Sequence, residues 1–85
     1  MSHIRVVMYR EEDGSVPFLD WFDDLPEKAQ DNCRVRLERL AALGHELRRP
    51  EADYLRDNIY ERRVRRRSTN YRMLYFFHGR ATAVL

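Results

Sequence analysis

The sequence predicts an α+β domain in the order β-α-α-β-β-β: a small antiparallel sheet with two helices packed on one face. Three observations predict it. A short β-branched run opens the chain, two segments of helical periodicity follow, and the last third alternates like strands between turn signals. Eighty-five residues, 44% of them hydrophobic, suffice for one modest core. No repeat or composition shift divides residues 1–85, so a single domain is expected.

Ile4 to Tyr9 reads as the opening strand, and Glu11 to Gly14 as turn material. Ser15 is a plausible N-cap, with Pro17 in the first helical turn, where its missing N–H costs little. Phe18, Leu19, Phe22 and Leu25 recur at helical spacing. Pro26 opens a second helix whose buried stripe is Ala29, Cys33, Leu37, Leu40 and Ala41, and Gly44 is placed to end it. Residues 45–58, with Pro50 and the Asp57-Asn58 turn pair, read as a connecting loop. Strands are expected over 59–67, 71–77 and 80–85, separated by Ser68-Thr69-Asn70 and His78-Gly79. The opening strand joins this sheet either as a parallel neighbour or as an edge.

Several classes are excluded by what the residues cannot do. The apolar runs are far shorter than a bilayer requires. Residues 1–10 lack the apolar core of a secretory signal, and a lone Cys33 forms no internal disulfide, so a cytoplasmic protein is expected. No His/Cys spacing suggests a metal, and no glycine-rich loop suggests a nucleotide cradle; no cofactor is expected.

Charge is the informative property. Residues 1–60 sum to −4 and residues 61–85 to +6, and ERRVRRRSTNYR (61–72) holds six arginines. Fifteen of the sixteen basic residues are Arg, the better residue for planar, bidentate phosphate contacts. Two unit charges about 7 Å apart on a strand face repel by roughly 0.6 kcal/mol in water, so a solvated face is affordable. By alternation Arg63, Arg65 and Arg67 share one face, Arg62 and Arg66 the other, and the hairpin sets Arg72 opposite Arg66 or Arg67. With Tyr71 and Tyr75 interleaved, a rigid basic surface of this kind suits single-stranded nucleic acid.

Cleaving RNA by internal transfer needs a base, a stabiliser of the phosphorane charge and an acid. Arginine serves only the second task, because it stays protonated. His78 lies about 20 Å from Arg72 along a strand, too far for one phosphate. His3 and His45 read as solvated, and Glu61 beside Arg63 is blunted as a base. Asp53 and Tyr71 remain open for that role.

VPFLDWFDDLP, EADYLRDN and above all IYERRVRRRSTNYRMLYFF resemble the RelE/ParE superfamily of toxins, in particular its phage-derived, HigB-like branch. The resemblance covers residues 4–85. It implies a RelE-like fold and the toxin of a toxin–antitoxin pair, a metal-independent endoribonuclease that cuts mRNA on the ribosome. The implied partner is a cognate antitoxin of the helix-turn-helix, HigA-like kind. Matched by motif, Arg72 falls on the arginine that stabilises the scissile phosphate. Arg63 and Arg65 match basic residues facing the RNA, Arg67 matches the arginine opening the turn, and Tyr71 completes the RNA-binding set. Arg62 stands where the motif usually has an apolar residue. Relatives of this kind continue past the last strand, so the usual C-terminal segment is expected to be lacking. The alternatives are an inactive remnant that binds RNA or its antitoxin, and a ParE-like inhibitor of gyrase. The ribonuclease reading requires arginines from two neighbouring strands to converge; splayed side chains, or carboxylates of the same chain neutralising them, would count against it.

Overall fold

The computed structural model describes residues 3–48 and 51–85; Pro50, read above as a loop proline, lies outside them. Strands β1 (Arg5–Val7), β2 (Ala52–Arg56), β3 (Ile59–Arg66), β4 (Thr69–His78) and β5 (Thr82–Val84) form one sheet in the order β1-β5-β4-β3-β2. Helices α1 (Pro17–Asp23) and α2 (Glu27–Leu43) lie between β1 and β2 in sequence, and a 3₁₀ turn, Gly44–Glu46, follows α2. The α+β class and the helices on the sheet are as the sequence predicts. β1 proves to be both edge strand and parallel neighbour, pairing with β5. Among the described residues no helix is long and apolar enough to cross a membrane.

Several boundaries differ from expectation, among them His78, which ends β4 rather than sitting in a turn, and the last strand, which spans Thr82–Val84 rather than 80–85. The segment read as a loop contains β2, which pairs antiparallel with β3. Asp57 and Asn58 both take positive φ, the two-residue arrangement that closes a twisted hairpin, so a turn signal there implied a strand before it. Ser15 does not cap α1: Val16 does, while the Ser15 hydroxyl donates to Asp13 at 2.7 Å. The β3–β4 turn is Arg67-Ser68, with Arg67 at φ 56° and Arg66 opposite Thr69; it starts one residue earlier than the expected Ser68-Thr69-Asn70 turn and is one residue shorter. Arg67 therefore belongs to the turn, and Thr69 and Asn70 to a strand.

Alternation then sorts the sheet into two faces. Tyr60, Arg62 and Val64 of β3, with Tyr71, Met73, Tyr75 and Phe77 of β4, face the helices. Ile4, Leu40, Leu47, Ala52, Tyr75 and Ala83 form one buried cluster; Phe22, Cys33, Val64 and Met73 form a second, which Phe18 and Trp21 of α1 flank. The larger of these, such as Leu40, Val64 and Met73, each contribute on the order of 1.5–3 kcal/mol when fully buried. Gly44 ends α2 as predicted, its N–H donating to the Leu40 carbonyl. Its φ is 53°, and a Cβ there would meet Ile4 Cγ2 at 2.9 Å.

One charge is inside. Arg62, on the helix-facing side, is 2% exposed. Its Nη1 donates to the Glu51 backbone carbonyl, its Nη2 lies 3.5 Å from the Glu51 carboxylate, and Nε and Nη2 have no hydrogen-bond partner among the described residues. Burial lowers its pKa against the pull of Glu51. Glu51 is also gripped by Arg39, whose Nη2 donates to it at 2.8 Å, and Arg39 holds the Glu51 carboxyl below the usual range. A buried ion pair of this kind seldom adds net stability.

Two stability outcomes follow from these buried groups. Replacing Arg62 and Glu51 together by Met removes the whole pair and its desolvation penalty, so equilibrium denaturation should find the double variant unchanged or up to about 4 kcal/mol more stable. Burial pushes the Tyr75 phenol up to about 12. A raised folded-state pKa makes its contribution complete below the ordinary value near 10 and lost as pH climbs toward 12. Denaturation midpoints should thus fall between pH 10 and 12, and Tyr75→Phe should flatten that decline.

Candidate functional site

The face of the sheet turned away from the helices carries the charge. On β3 it presents Glu61, Arg63 and Arg65, and on β4 Asn70, Arg72 and Leu74. The two-residue turn sets Arg63 directly opposite Arg72 and Arg65 opposite Asn70. The sequence reading had placed Arg72 against Arg66 or Arg67. Moving the turn back shifts the whole register, and Arg66 ends on the opposite face, opposite Thr69. Like charges directly across an antiparallel pair repel, so the structure must answer for Arg63 and Arg72.

Glu61 answers. Arg63 Nη2 donates to its Oε1 at 2.9 Å, and Arg72 Nε lies 3.5 Å from its Oε2. One oxygen serves each arginine, and the carboxylate is itself 5% exposed while the two guanidiniums stay 51% and 64% exposed. At an effective dielectric near 20, opposite charges about 4 Å apart attract by about 4 kcal/mol, so two such contacts outweigh one arginine–arginine repulsion. The trio keeps one net positive charge. Arg65 adds another, its Nε donating to the Arg67 carbonyl at 3.2 Å.

Of the residues singled out from sequence, Arg63, Arg65 and Arg72 share one surface. Arg67 sits beside them in the turn. Tyr71 does not share it: opposite Val64, it points toward the helices and packs half-buried on the second core cluster. Tyr75 likewise belongs to the core, stacked on Tyr60 with ring centroids 5.5 Å apart. Strand parity forces this, because Tyr71 and Arg72 are consecutive and must face opposite ways. Asp53 of β2 is level with Glu61 across the β2–β3 register, hence on the arginine face. His78 ends β4, opposite Thr82 and remote from Arg72. His45, read as plainly solvated, stacks on Phe77 at 3.8 Å and donates from Nε2 to the Arg80 carbonyl.

Chemically, the arrangement can receive an oxyanion. Each guanidinium has five N–H donors; Glu61 accepts from one on Arg63 and is ion-paired with Arg72 at 3.5 Å. The remaining donors, on two exposed side chains fixed at the base by a shared carboxylate, suit a tetrahedral anion approached from solvent. Arg63 and Arg72 meet at Glu61, a carboxylate of the same chain that offsets one of their two charges, and that partial neutralisation counts against the ribonuclease reading. The sequence showed Glu61 beside Arg63, but only the register shows that it spans to Arg72.

The coupling is measurable. A double-mutant cycle on Glu61→Gln and Arg63→Ala should return an interaction of about 1 kcal/mol, because one partner is buried and the other wet. It should shrink as salt rises from 0.05 to about 0.5 M.

Residues 20–85 match the model of the family described as Phage derived protein Gp49-like (DUF891). No curated protein and no solved structure gives a significant match. The family match spans most of the chain, including both helices from Asp20 onward and the whole arginine-bearing hairpin. The chain belongs to the Gp49-like family, phage-derived proteins associated with the toxins of toxin–antitoxin systems.

Proposed function

We propose that this member of the Gp49-like family is the toxin of a toxin–antitoxin module and acts as a ribosome-dependent mRNA endoribonuclease. One observation carries the reading: Arg63 and Arg72 stand opposite each other on an exposed sheet face, held by Glu61 with donors to spare. In this reading Arg72 stabilises the phosphorane as the RNA 2′-oxygen attacks phosphorus, Arg63 shares that charge, and Arg65 and Arg67 bind neighbouring phosphates. The P–O5′ bond then breaks to leave a 2′,3′-cyclic phosphate, and O5′ takes a proton from solvent water to become the 5′-hydroxyl. Glu61 is a positioning residue, committed to the arginines. Asp53, level with it on β2, is the candidate acceptor for the 2′-hydroxyl proton. The RelE/HigB likeness supports the reaction class, and an antitoxin of the HigA-like kind is the partner it implies.

The second reading, a module that binds RNA or its antitoxin without cutting, draws on the same trio, since Glu61 already satisfies part of both arginines. Programmed ribosomes separate the two. On the enzyme reading, the message is cut to cyclic-phosphate ends, and Arg72→Ala lowers the single-turnover rate by about 10²–10³-fold, the loss typical of one oxyanion donor. Intact message with the chain still bound would establish the binding module instead. For free single-stranded RNA, contacts from Arg63, Arg65, Arg67 and Arg72 give log affinity a slope near −2.8 against log salt, about 0.7 for each phosphate. Arg72→Ala should reduce the slope by about that step.

A further inference from the structure

A buried ion pair that adds little stability can still fix register, because few arrangements satisfy its directional bonds. The pair of Arg62 and Glu51 sits where register is otherwise loosely set. Among the residues of β2, Ala52 alone is buried. Pairing with β3 runs level from Ala52 to Tyr54 and then shifts between Tyr54 and Arg56. Tyr54 and Leu55 are exposed, and Tyr54 rests edge-on against the Tyr60 ring, centroids 5.2 Å apart. At the start of the strand, the N–H groups of Glu51 and Ala52 donate to the Arg48 carbonyl, which ties the connection only to itself.

Side chains from two other elements reach this point, and both take hold of Glu51. From β3, Arg62 Nη1 donates to its backbone carbonyl, and Nη2 lies 3.5 Å from its carboxylate. From α2, Arg39 Nη2 donates to the same carboxylate at 2.8 Å, beside a second bond from Nε. Glu51 is thus gripped by main chain and side chain at once, from a helix and a strand that pack on each other. Two residues further on stands Asp53, level with Glu61 on the arginine face. The next row along that face is Arg63 and Arg72. A slip of β2 by one residue would turn Asp53 to the helix side.

We propose that Arg62 is a positioning residue: with Arg39 it clamps Glu51, and the clamp fixes β2 so that Asp53 stands beside Glu61 and its two arginines. What Asp53 does there rests on the ribonuclease reading; where it stands does not. The clamp accounts for a charge in the core. Apolar contact is non-directional, so an apolar side chain in place of Arg62 would fill the space and leave β2 free to slide or lift. A guanidinium bonded to a carbonyl and facing a carboxylate holds one register. Misplacing a reacting group by about 1 Å can cost about 10²-fold in rate, so a clamp on the inner side of the sheet is felt on the outer.

The test compares the wild-type chain with the double variant Arg62→Met, Glu51→Met, which leaves no buried charge without its partner. Amide exchange by NMR reads the hold on β2 without reference to any activity. In the double variant residues 52–56 should exchange about tenfold or more faster, and cross-strand proton contacts between Asp53 and Glu61 should weaken. Amides of β4 should exchange no faster than before. Arg39→Gln, at an exposed site, loosens the clamp from one side and should speed exchange over 52–56 by up to about fivefold. On programmed ribosomes at saturating protein, the double variant should cut about 10²-fold more slowly, with its affinity for free single-stranded RNA unchanged. Wild-type exchange over 52–56 in the double variant overturns the proposal. So does fast exchange with undiminished cutting, or protection lost across β4 as well, which would make the pair a support of the whole fold. A rate lost through weaker RNA affinity alone overturns it too. Should the wild-type chain leave the message intact, the ribonuclease reading fails, and the exchange contrast still decides for or against the clamp.

Discussion

A two-residue turn governs the arrangement of everything functional in this chain. Arg67 accepts a left-handed backbone so that Arg66 can close on Thr69. For a non-glycine residue that conformation costs about 1–2 kcal/mol. From that point the register is fixed for eight pairs. It delivers Arg72 to Arg63, Val64 to Tyr71 and Arg62 to Met73. A slip of one residue would turn every side chain of one strand to the other face, exposing Met73 and Tyr75 and burying Arg72. The hydrophobic gain of keeping Val64, Met73 and Tyr75 inside far exceeds the turn's strain. The core therefore dictates the charged surface: the arginines are where they are because the apolar residues between them must face the helices.

The two faces handle charge in different ways. On the outer side one carboxylate divides itself between two arginines that remain wet, which removes a repulsion and leaves a net positive patch. On the inner side Glu51 does the reverse, gathering Arg39 and Arg62 around one carboxylate at the margin of the core. Each case buries one charge: outside it is Glu61, met by both arginines, and inside it is Arg62, two of whose nitrogens have no hydrogen-bond partner among the described residues. The same ratio of charges thus serves the surface in one place and the margin of the core in the other, and which member is buried tells the two apart.

Much of this was legible from sequence, for reasons that can be named. Ala29, Cys33 and Leu40 at helical spacing gave α2, and Gly44 its end. The arginine run and its strand placement were visible from alternation alone. β2 was missed because Tyr54 and Leu55 are exposed on an edge strand, so the segment shows no apolar face to read. The register was missed because a turn built on Arg67 and Ser68 carries no glycine or asparagine signal. Once the turn is misplaced, the partners of Arg72 and the span of Glu61 cannot be recovered. Tyr71 was drawn into the surface by its neighbours in the sequence. Parity sets it on the other face.

Cys33 sits on α2 between Phe22, Val64 and Met73 with no exposure, and burial pushes its thiol above the ordinary range. Thiol reagents attack the thiolate, so in the native fold this sulfur is shielded twice, by packing and by protonation. It is also the single cysteine of the chain. Its labelling rate is therefore a built-in clock for the opening of the helix–sheet seam, readable without adding any probe.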